Sequence, residues 1–222
     1  MPPTVSIEAE AVRKCFLRKE EYLRELAVYQ SALPHVPLLL DHGKALSIST
    51  SVNDANASPS KHSEQYGYYL RIQRIMGVPY LDLSSFNAAA LGRALSEFHL
   101  ASRRKDGTCL CHIDNQPKNI LLADTGYWLI DFSDSRIGHP EEDISHLLLF
   151  WAAEFSLLLF SDKLEQFLPG YLPGIKLENQ LWKDAYLASE QRFDERRSKY
   201  GKLPKPSDSQ AENRQIIRNL IF

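Results

Sequence analysis

Residues 112–119 read His-Ile-Asp-Asn-Gln-Pro-Lys-Asn, and Asp131-Phe132-Ser133 begins twelve positions after the last Asn. The intervening segment has a strong local geometry. Ile120-Leu121-Leu122 reads as a short strand, Asp124-Thr125-Gly126 as a turn, and Tyr127-Trp128-Leu129-Ile130 as a second strand rich in aromatic and branched residues. A two-strand hairpin returns the chain to its start. Asn119 opens one strand and Asp131 sits just past the end of the other, so the spacing predicts that they are neighbours in space. Taken singly, Asp114 and Asn119 read as turn formers and Asp131 as a strand-end cap. The joint spacing, with a hairpin inside it, favours a site.

Carboxylate, carboxamide and carboxylate suit a magnesium nucleotide. Asp114 is placed to accept a proton from a hydroxyl nucleophile, while Asn119 and Asp131 offer hard oxygen ligands. Magnesium takes few ligands from protein and the rest from phosphate and water. Histidine ligands at spacings suited to zinc do not accompany the set.

His-x-Asp-x-x-x-x-Asn followed by Asp-Phe-Ser resembles the catalytic and metal-binding segments of the protein-kinase-like fold. The resemblance is closest to the aminoglycoside and choline phosphotransferase branch, with small lipopolysaccharide-type kinases nearby. That branch often carries a residue other than Gly at the position of Ser133. Gly138-His139-Pro140-Glu141-Glu142-Asp143-Ile144 resembles its Gly-x-Pro-x-x-Asp segment, which opens a buried helix. By that resemblance Asp143 braces the catalytic loop backbone; it also reads as a helix N-terminal acid favoured by the macrodipole.

The resemblance implies further parts upstream. Val12 to Leu17 reads as a strand, and Lys14 matches the lysine that holds the α- and β-phosphates. Lys19 begins a helix running to about Ala32, with Tyr22, Leu26 and Tyr29 on one face. Glu25 matches the glutamate that pairs with the lysine, and Glu21, one turn earlier, is the alternative. Pro34 to Asp41 resembles the turn into the fourth strand. Tyr68 to Ile75 alternates as a strand and is broken by Met76-Gly77-Val78-Pro79. In the family this break is the hinge where backbone groups meet adenine, which points to Arg74, Ile75 and Met76 as cofactor-binding positions. Leu91 to His99 resembles the helix before the catalytic loop; His99 itself reads as helix surface or a satisfied core histidine. The resemblance spans residues 12–160.

The chain also departs from the family. Met1 to Val12 contains no Gly, where the family has a hairpin with a Gly-rich turn covering the phosphates. One strand, Val5 to Ala9, and a very short turn are expected there, so backbone amides normally offered to phosphate would be missing. Gln116 stands where kinases acting on Ser or Thr carry Lys; Lys118 is nearby.

The rest of the chain bounds the answer. At 222 residues, 44% hydrophobic and a net charge of −2, it reads as a core-forming globular protein without a polyelectrolyte signature, so nucleic acid is not implied. The three cysteines, Cys15, Cys109 and Cys111, form neither a disulfide framework nor a metal-finger spacing, which suggests reduced thiols in a cytoplasmic protein. No signal peptide is read at the Pro-rich N-terminus. Leu147 to Phe160, the most apolar stretch, is too short for a membrane span and reads as the buried central helix of the larger lobe. Ala45 to Gln65 reads as a connection between two strands. From Lys163 the pattern is helical, broken at Pro169 to Gly174. The densely charged run Glu190 to Arg197 reads as a solvated helix face, and Gly201 to Ser209 as a loop. A last helix carries Ile216, Ile217, Leu220 and Ile221 for docking.

The expected fold is therefore α+β: a two-lobed protein-kinase-like fold. Residues 1–75 form a reduced, mostly β N-lobe with the Lys14 strand and Glu25 helix, and residues 76–222 a mainly helical C-lobe. The function the resemblance implies is an ATP-dependent phosphotransferase using ATP and magnesium, with catalytic Asp114, Asn119 and Asp131 and metal ligands Asn119 and Asp131. Its partners are the nucleotide and a small-molecule or protein hydroxyl acceptor, with Glu141, Glu142, Glu154 and Asp184 as possible acceptor contacts. A pseudokinase scaffold and a minimal protein Ser/Thr kinase stay open as alternatives.

Overall fold

The computed structural model describes residues 3–45, 67–82, 85–199 and 208–222. The chain forms two compact units, residues 1–32 with 37–74, and residues 33–36 with 75–222. The expected connection at 45–65 and loop at 201–209 lie almost wholly outside the described residues.

The smaller unit is an antiparallel sheet with one helix. Its strands are β1 (Thr4–Ile7), β2 (Ala11–Phe16), β3 (Leu39–Ala45) and β4 (Gly67–Gln73), in the order β1-β2-β4-β3. The helix α1 (Lys19–Gln30) buries Tyr22, Glu25, Leu26, Val28 and Tyr29 on one stripe. The 3.6-residue period gathers these positions on the sheet side. Tyr22 stacks on Tyr68 at 4.9 Å and meets Phe16 edge-on at 6.1 Å, which sets α1 against β2 and β4. The first strand ends at Ile7, not Ala9. Glu8-Ala9-Glu10 turns into β2, with the Glu8 N–H bonded to the Ala11 carbonyl at 2.8 Å. The single strand and very short turn expected before Lys14 are thus present as a short hairpin with β2, and its turn contains no glycine.

The larger unit is mainly helical. It contains the short strands β5 (Val78–Pro79), β6 (Cys109–Cys111), β7 (Ile120–Ala123), β8 (Gly126–Leu129) and β9 (Arg136–Gly138). Its helices are α2 (Ala88–Ala101), α3 (Pro140–Glu154), α4 (Leu157–Tyr171), α5 (Asn179–Lys199) and α6 (Asp208–Arg218). Strands β5, β7 and β8 form one antiparallel sheet, and β6 pairs with β9. The Cα of Gly77 approaches β7 so closely that a Cβ would stand 2.8 Å from the Leu122 carbonyl oxygen, so this glycine is required for packing and not only for a turn.

α3 is buried on nearly all sides, as expected of a helix apolar all round. Pro140 starts it with its φ already helical, the Glu142 carboxylate accepts the His139 N–H at 3.1 Å, and three acids fill its first turn. The helix does not run through to Phe160. It stops at Glu154, Phe155 is extended, and Ser156 caps α4 by accepting the Leu159 N–H. A capping serine beside two solvent-facing leucines ends what hydropathy reads as one span: Leu158 is 84% exposed.

A second difference lies at Pro169, which sits inside α4. A helical proline forfeits one hydrogen bond. The packing of α4 on α2 outweighs that loss, because both contact faces are stripped to glycine. A Cβ on Gly92 would stand 2.5 Å from the Phe167 carbonyl oxygen, and one on Gly170 would collide with the Ala89 carbonyl. The last helix docks through Asn213 and Ile217, while Ile221 is 85% exposed and not part of the docking face.

Candidate active site

The loop after β6 is held by one buried carboxylate. Asp143, in the first turn of α3, accepts the backbone N–H of His112 on Oδ2 and that of Ile113 on Oδ1, each at 2.7 Å. Ile113 is in the left-handed region, at φ 67°. Such a backbone is uphill for a β-branched residue and persists only where its surroundings over-determine it. The His99 ring donates from Nε2 to Asp143 Oδ2 at 3.0 Å and accepts from the Tyr171 hydroxyl on Nδ1 at 2.8 Å. Burial pushes the Asp143 carboxyl up. The hydrogen bond from His99 and the neighbouring imidazoles of His99 and His112 override it, so the group lies below the usual carboxylate range.

Further buried partners tighten the same loop. Asn115 Nδ2 donates to the Asp143 carbonyl at 2.6 Å, and its Oδ1 accepts from His146 Nδ1 at 3.0 Å. Burial holds the His146 imidazole down at about 4, so it is neutral near pH 7. His112 donates from Nε2 to the Ile130 carbonyl at 2.8 Å and rests on Phe132, with ring centroids 4.7 Å apart. Its Nδ1 is buried without a hydrogen-bond partner.

This scaffold sets out Asp114, Asn119 and Asp131. The Asn119 amide donates to the Asp114 carbonyl at 2.8 Å and to Asp114 Oδ2 at 3.2 Å. With its nitrogen committed there, Asn119 has Oδ1, a hard donor, left to offer. The Ile130 N–H bonds the Asn119 carbonyl at 3.0 Å, and Ile120 pairs with Leu129, so the hairpin places Asp131 one residue beyond the partner of Asn119. Asp131 has φ 65°, a strained left-handed backbone at the end of β8. Two oxygen donors of this kind, one amide and one carboxylate, fit the hard-donor set that magnesium prefers.

Asp114 is 9% exposed, and both its carboxylate oxygens carry partners. Gln116 Nε2 donates to Oδ2 at 2.8 Å, and Arg196 donates to Oδ1 at 2.7 Å. The second nitrogen of the Arg196 fork reaches Asp134 Oδ2. Burial works against the Arg196 charge, but the hydrogen bond to Asp134 and the field of Asp114 more than offset it and hold the guanidinium above its usual range. The expectation that Glu190 to Arg197 is simply a solvated face therefore misses this residue. Its signal was the α5 stripe: Trp182, Ala185, Ser189 and Phe193 are buried at helical spacing, and Arg196 continues that stripe. Asn115, His146 and Tyr171 were also missed, since nothing local marks a buried polar partner.

In the smaller unit, Lys14 Nζ lies 2.7 Å from both carboxylate oxygens of Glu25. Lys14 is central in the sheet, opposite Val5 of β1 and Leu70 of β4. Glu21, the alternative partner, instead takes Arg18 at 3.4 Å. Arg74 donates its guanidinium to the Glu8 carbonyl at 3.1 Å and its backbone N–H to the Glu10 carbonyl at 3.0 Å, so that amide is already engaged. Met76 is exposed.

Of the acidic acceptor candidates, Glu141 is buried and accepts the Glu178 N–H at 2.8 Å, while Glu142 pairs with Arg136. Glu154 lies 3.9 Å from Arg197, and Asp184 takes Gln180 on its own helix. His99, Cys109 and Cys111 gather within 4.8 Å, a grouping that spacing did not foretell. Both His99 nitrogens are engaged by Tyr171 and Asp143, and the hydrogen bond to Cys109 together with burial drives the Cys111 thiol far up. That grouping is core. Among the described residues no helix is long and apolar enough to cross a membrane.

The sequence model of the phosphotransferase enzyme family matches residues 18–177. No curated protein matches the chain. Among solved structures, the amicoumacin kinase hAmiN, in complex with AMP-PNP, Ca2+ and Ami, is 14% identical with a TM-score of 0.57, over 98% of this chain and 88% of that one. A thermostable mutant of the aminoglycoside phosphotransferase APH(4)-Ia, in apo form, is also 14% identical with a TM-score of 0.57, over 98% and 94%. A choline/ethanolamine kinase family protein from Mesorhizobium loti is 12% identical with a TM-score of 0.54, over 98% and 83%. At these identities the likeness is one of fold, the kinase-like α+β architecture.

Proposed function

The chain belongs to the phosphotransferase enzyme family, and from that premise we propose that it is an ATP-dependent kinase that phosphorylates a hydroxyl of a small-molecule acceptor. The observation that carries this reading is the Asp143-anchored loop, which sets Asp114 against the Asn119 amide and next to the hairpin that ends at Asp131.

In this reading Asp114 orients the acceptor hydroxyl and takes its proton. Asn119 and Asp131 hold magnesium, which neutralises charge on the phosphates when bound. Lys14, kept in place by the Glu25 carboxylate, meets the α- and β-phosphates. Backbone groups of Arg74 to Met76 meet the adenine, apart from the Arg74 N–H, which the Glu10 carbonyl already engages. Nucleotide use is supported by the solved relative that was captured with AMP-PNP. The three cysteines are free thiols, which supports a reducing, cytoplasmic setting.

A second reading is a pseudokinase that keeps the fold as a binding module. It is favoured by the glycine-free turn Glu8-Ala9-Glu10, which carries two carboxylates where a phosphate-covering loop would offer amides. Calorimetric titration of ATP with and without magnesium, on wild type and Asp131→Asn, separates the two. Magnesium-dependent binding that is lost in the variant is expected of the kinase. A folded wild type that binds no ATP would leave the binding module as the better reading.

A further inference from the structure

We propose that Arg196 is the cation that stabilises the transferred phosphoryl group, delivered to the catalytic loop from α5. The proposal rests on the kinase reading above and adds to it a residue far outside the family's loop motifs.

Among the described residues, the loop itself brings no cation into an ion pair with Asp114. Gln116, two residues after Asp114, is uncharged, and the Lys118 side chain is exposed. Among the described residues, Arg196 alone brings a positive charge within ion-pairing distance of Asp114, at 2.7 Å from Oδ1. A hydroxyl handing its proton to Asp114 must sit within about 3 Å of a carboxylate oxygen. The phosphorus it attacks lies in line, about 3–3.5 Å further on. A guanidinium bonded to that same carboxylate is therefore one group away from the equatorial oxygens on which charge develops.

The way Arg196 is held favours such a task. α5 is keyed to α3 by the Ser189–Ser145 hydroxyl pair at 2.9 Å and by the edge-on contact of Phe193 with Phe150 at 5.0 Å. Those residues lie seven and three positions before Arg196 on the same helical face, so the guanidinium has a fixed base. Asp114 and Asp134 each take a separate nitrogen of the fork, which sets its plane and leaves further N–H donors for a phosphate. Stability does not explain the arrangement. The Arg196 side chain is 47% exposed, and ion pairs of that exposure add little.

In the step this assists, the acceptor oxygen forms a bond to the γ-phosphorus as the bond from that phosphorus to the β–γ bridging oxygen breaks. The hydroxyl proton passes to Asp114, and ADP departs with the electron pair of the broken bond. Arg196 forms and breaks no bond; it matches charge as it spreads over the phosphoryl oxygens.

The test needs no acceptor. Binding of magnesium·ADP is measured by calorimetry with and without aluminium fluoride, which mimics the phosphoryl group in flight, on wild type, Arg196→Gln, Arg196→Lys and the control Arg197→Gln. Wild type and Arg197→Gln tighten with fluoride. Arg196→Gln keeps magnesium·ADP affinity within about threefold but loses about 100-fold of the tightening, the scale of one preorganised donor. Arg196→Lys recovers about tenfold of it, because the charge remains without the fork. The proposal is overturned if Arg196→Gln tightens as wild type does, which makes the arginine a brace, or tightens more, which makes it a mask over the base. It is also overturned if wild type binds magnesium·ADP with no tightening, or if Arg196→Lys does no better than Arg196→Gln. A wild type that binds no magnesium·ADP brings down the kinase reading itself, a separate and recognisable result.

Discussion

The Asp143 carboxylate accepts the backbone N–H of Ile113 at 2.7 Å, and Ile113 is held there at φ 67°. A side chain from the first turn of α3 thus offsets an unfavourable backbone in the loop that carries Asp114. Asp143→Ala removes the acceptor for two buried amides and for His99. Each donor stranded in the interior costs about 1–3 kcal/mol, so a loss of at least about 3 kcal/mol is expected for the three. Asp143→Asn keeps the shape and one oxygen, and should lose less. Urea unfolding of the two variants checks the order; equal stability of Asp143→Ala and wild type would show that the anchor is idle.

The Lys14–Glu25 pair predicts a divergence between stability and binding. Lys14→Met removes the ammonium from a carboxylate that is fully buried, which should cost about 3–5 kcal/mol. Lys14→Met with Glu25→Leu replaces both charges by apolar groups and should recover most of that loss. ATP affinity should recover in neither. Denaturation midpoints and ATP titration on the single and double variants provide the comparison. A double variant as unstable as the single would mean that the charges are not coupled.

His146 predicts a pH dependence with a definite sign. Burial holds its folded pKa at about 4, below the ordinary 6.5, so between those values the unfolded chain binds the proton and the folded one does not. Stability is therefore fully present above about pH 6.5 and falls as pH drops towards 4, by up to about 3 kcal/mol. Asp143, also depressed, adds a loss in the same direction at still lower pH, as acidity passes through its folded pKa. In His146→Phe the slope between pH 6.5 and 4 should flatten, whatever the variant costs in absolute stability. Unfolding curves at a series of pH values test it, and a slope unchanged from wild type would assign the dependence to other histidines.

Gly170 predicts a packing limit. A Cβ there collides with the Ala89 carbonyl, which is backbone and cannot swing aside. Gly170→Ala should destabilise by about 1–3 kcal/mol although alanine is the better helix former. Thermal unfolding of this variant beside an exposed-surface substitution on α4 measures the balance. A stabilised Gly170→Ala would mean that the two helices separate freely.

What could be read from residue order follows the range of the forces involved. Asn119 and Asp131 are joined by a hairpin of two short strands, and a hairpin register is a local property of strand and turn residues, so their proximity was legible. The strand of Lys14 and the stripe of α1 were legible for the same reason, since period-2 and period-3.6 patterns are carried by adjacent residues. Local pattern does not choose between Glu21 and Glu25, which lie one turn apart on the same helical face. The packing of Tyr22 on Tyr68 turns the helix so that Glu25 faces Lys14. Hydropathy also fails to divide α3 from α4, because one capping serine starts a new helix inside an apolar run.

The sequence by itself determined the α+β pattern, the loop that carries Asp114 with its hairpin, and the family to which they point. Only the tertiary structure decided which distant partners tune that loop: His99 and Tyr171 on Asp143, His146 on Asn115, and the half-exposed Arg196 reaching Asp114 from α5. These contacts join segments tens of residues apart. Their existence depends on how helices stack, through Gly92 on α4 and Phe193 on Phe150, and stacking depends on side-chain shapes on two elements at once. No period along one segment records the face of another.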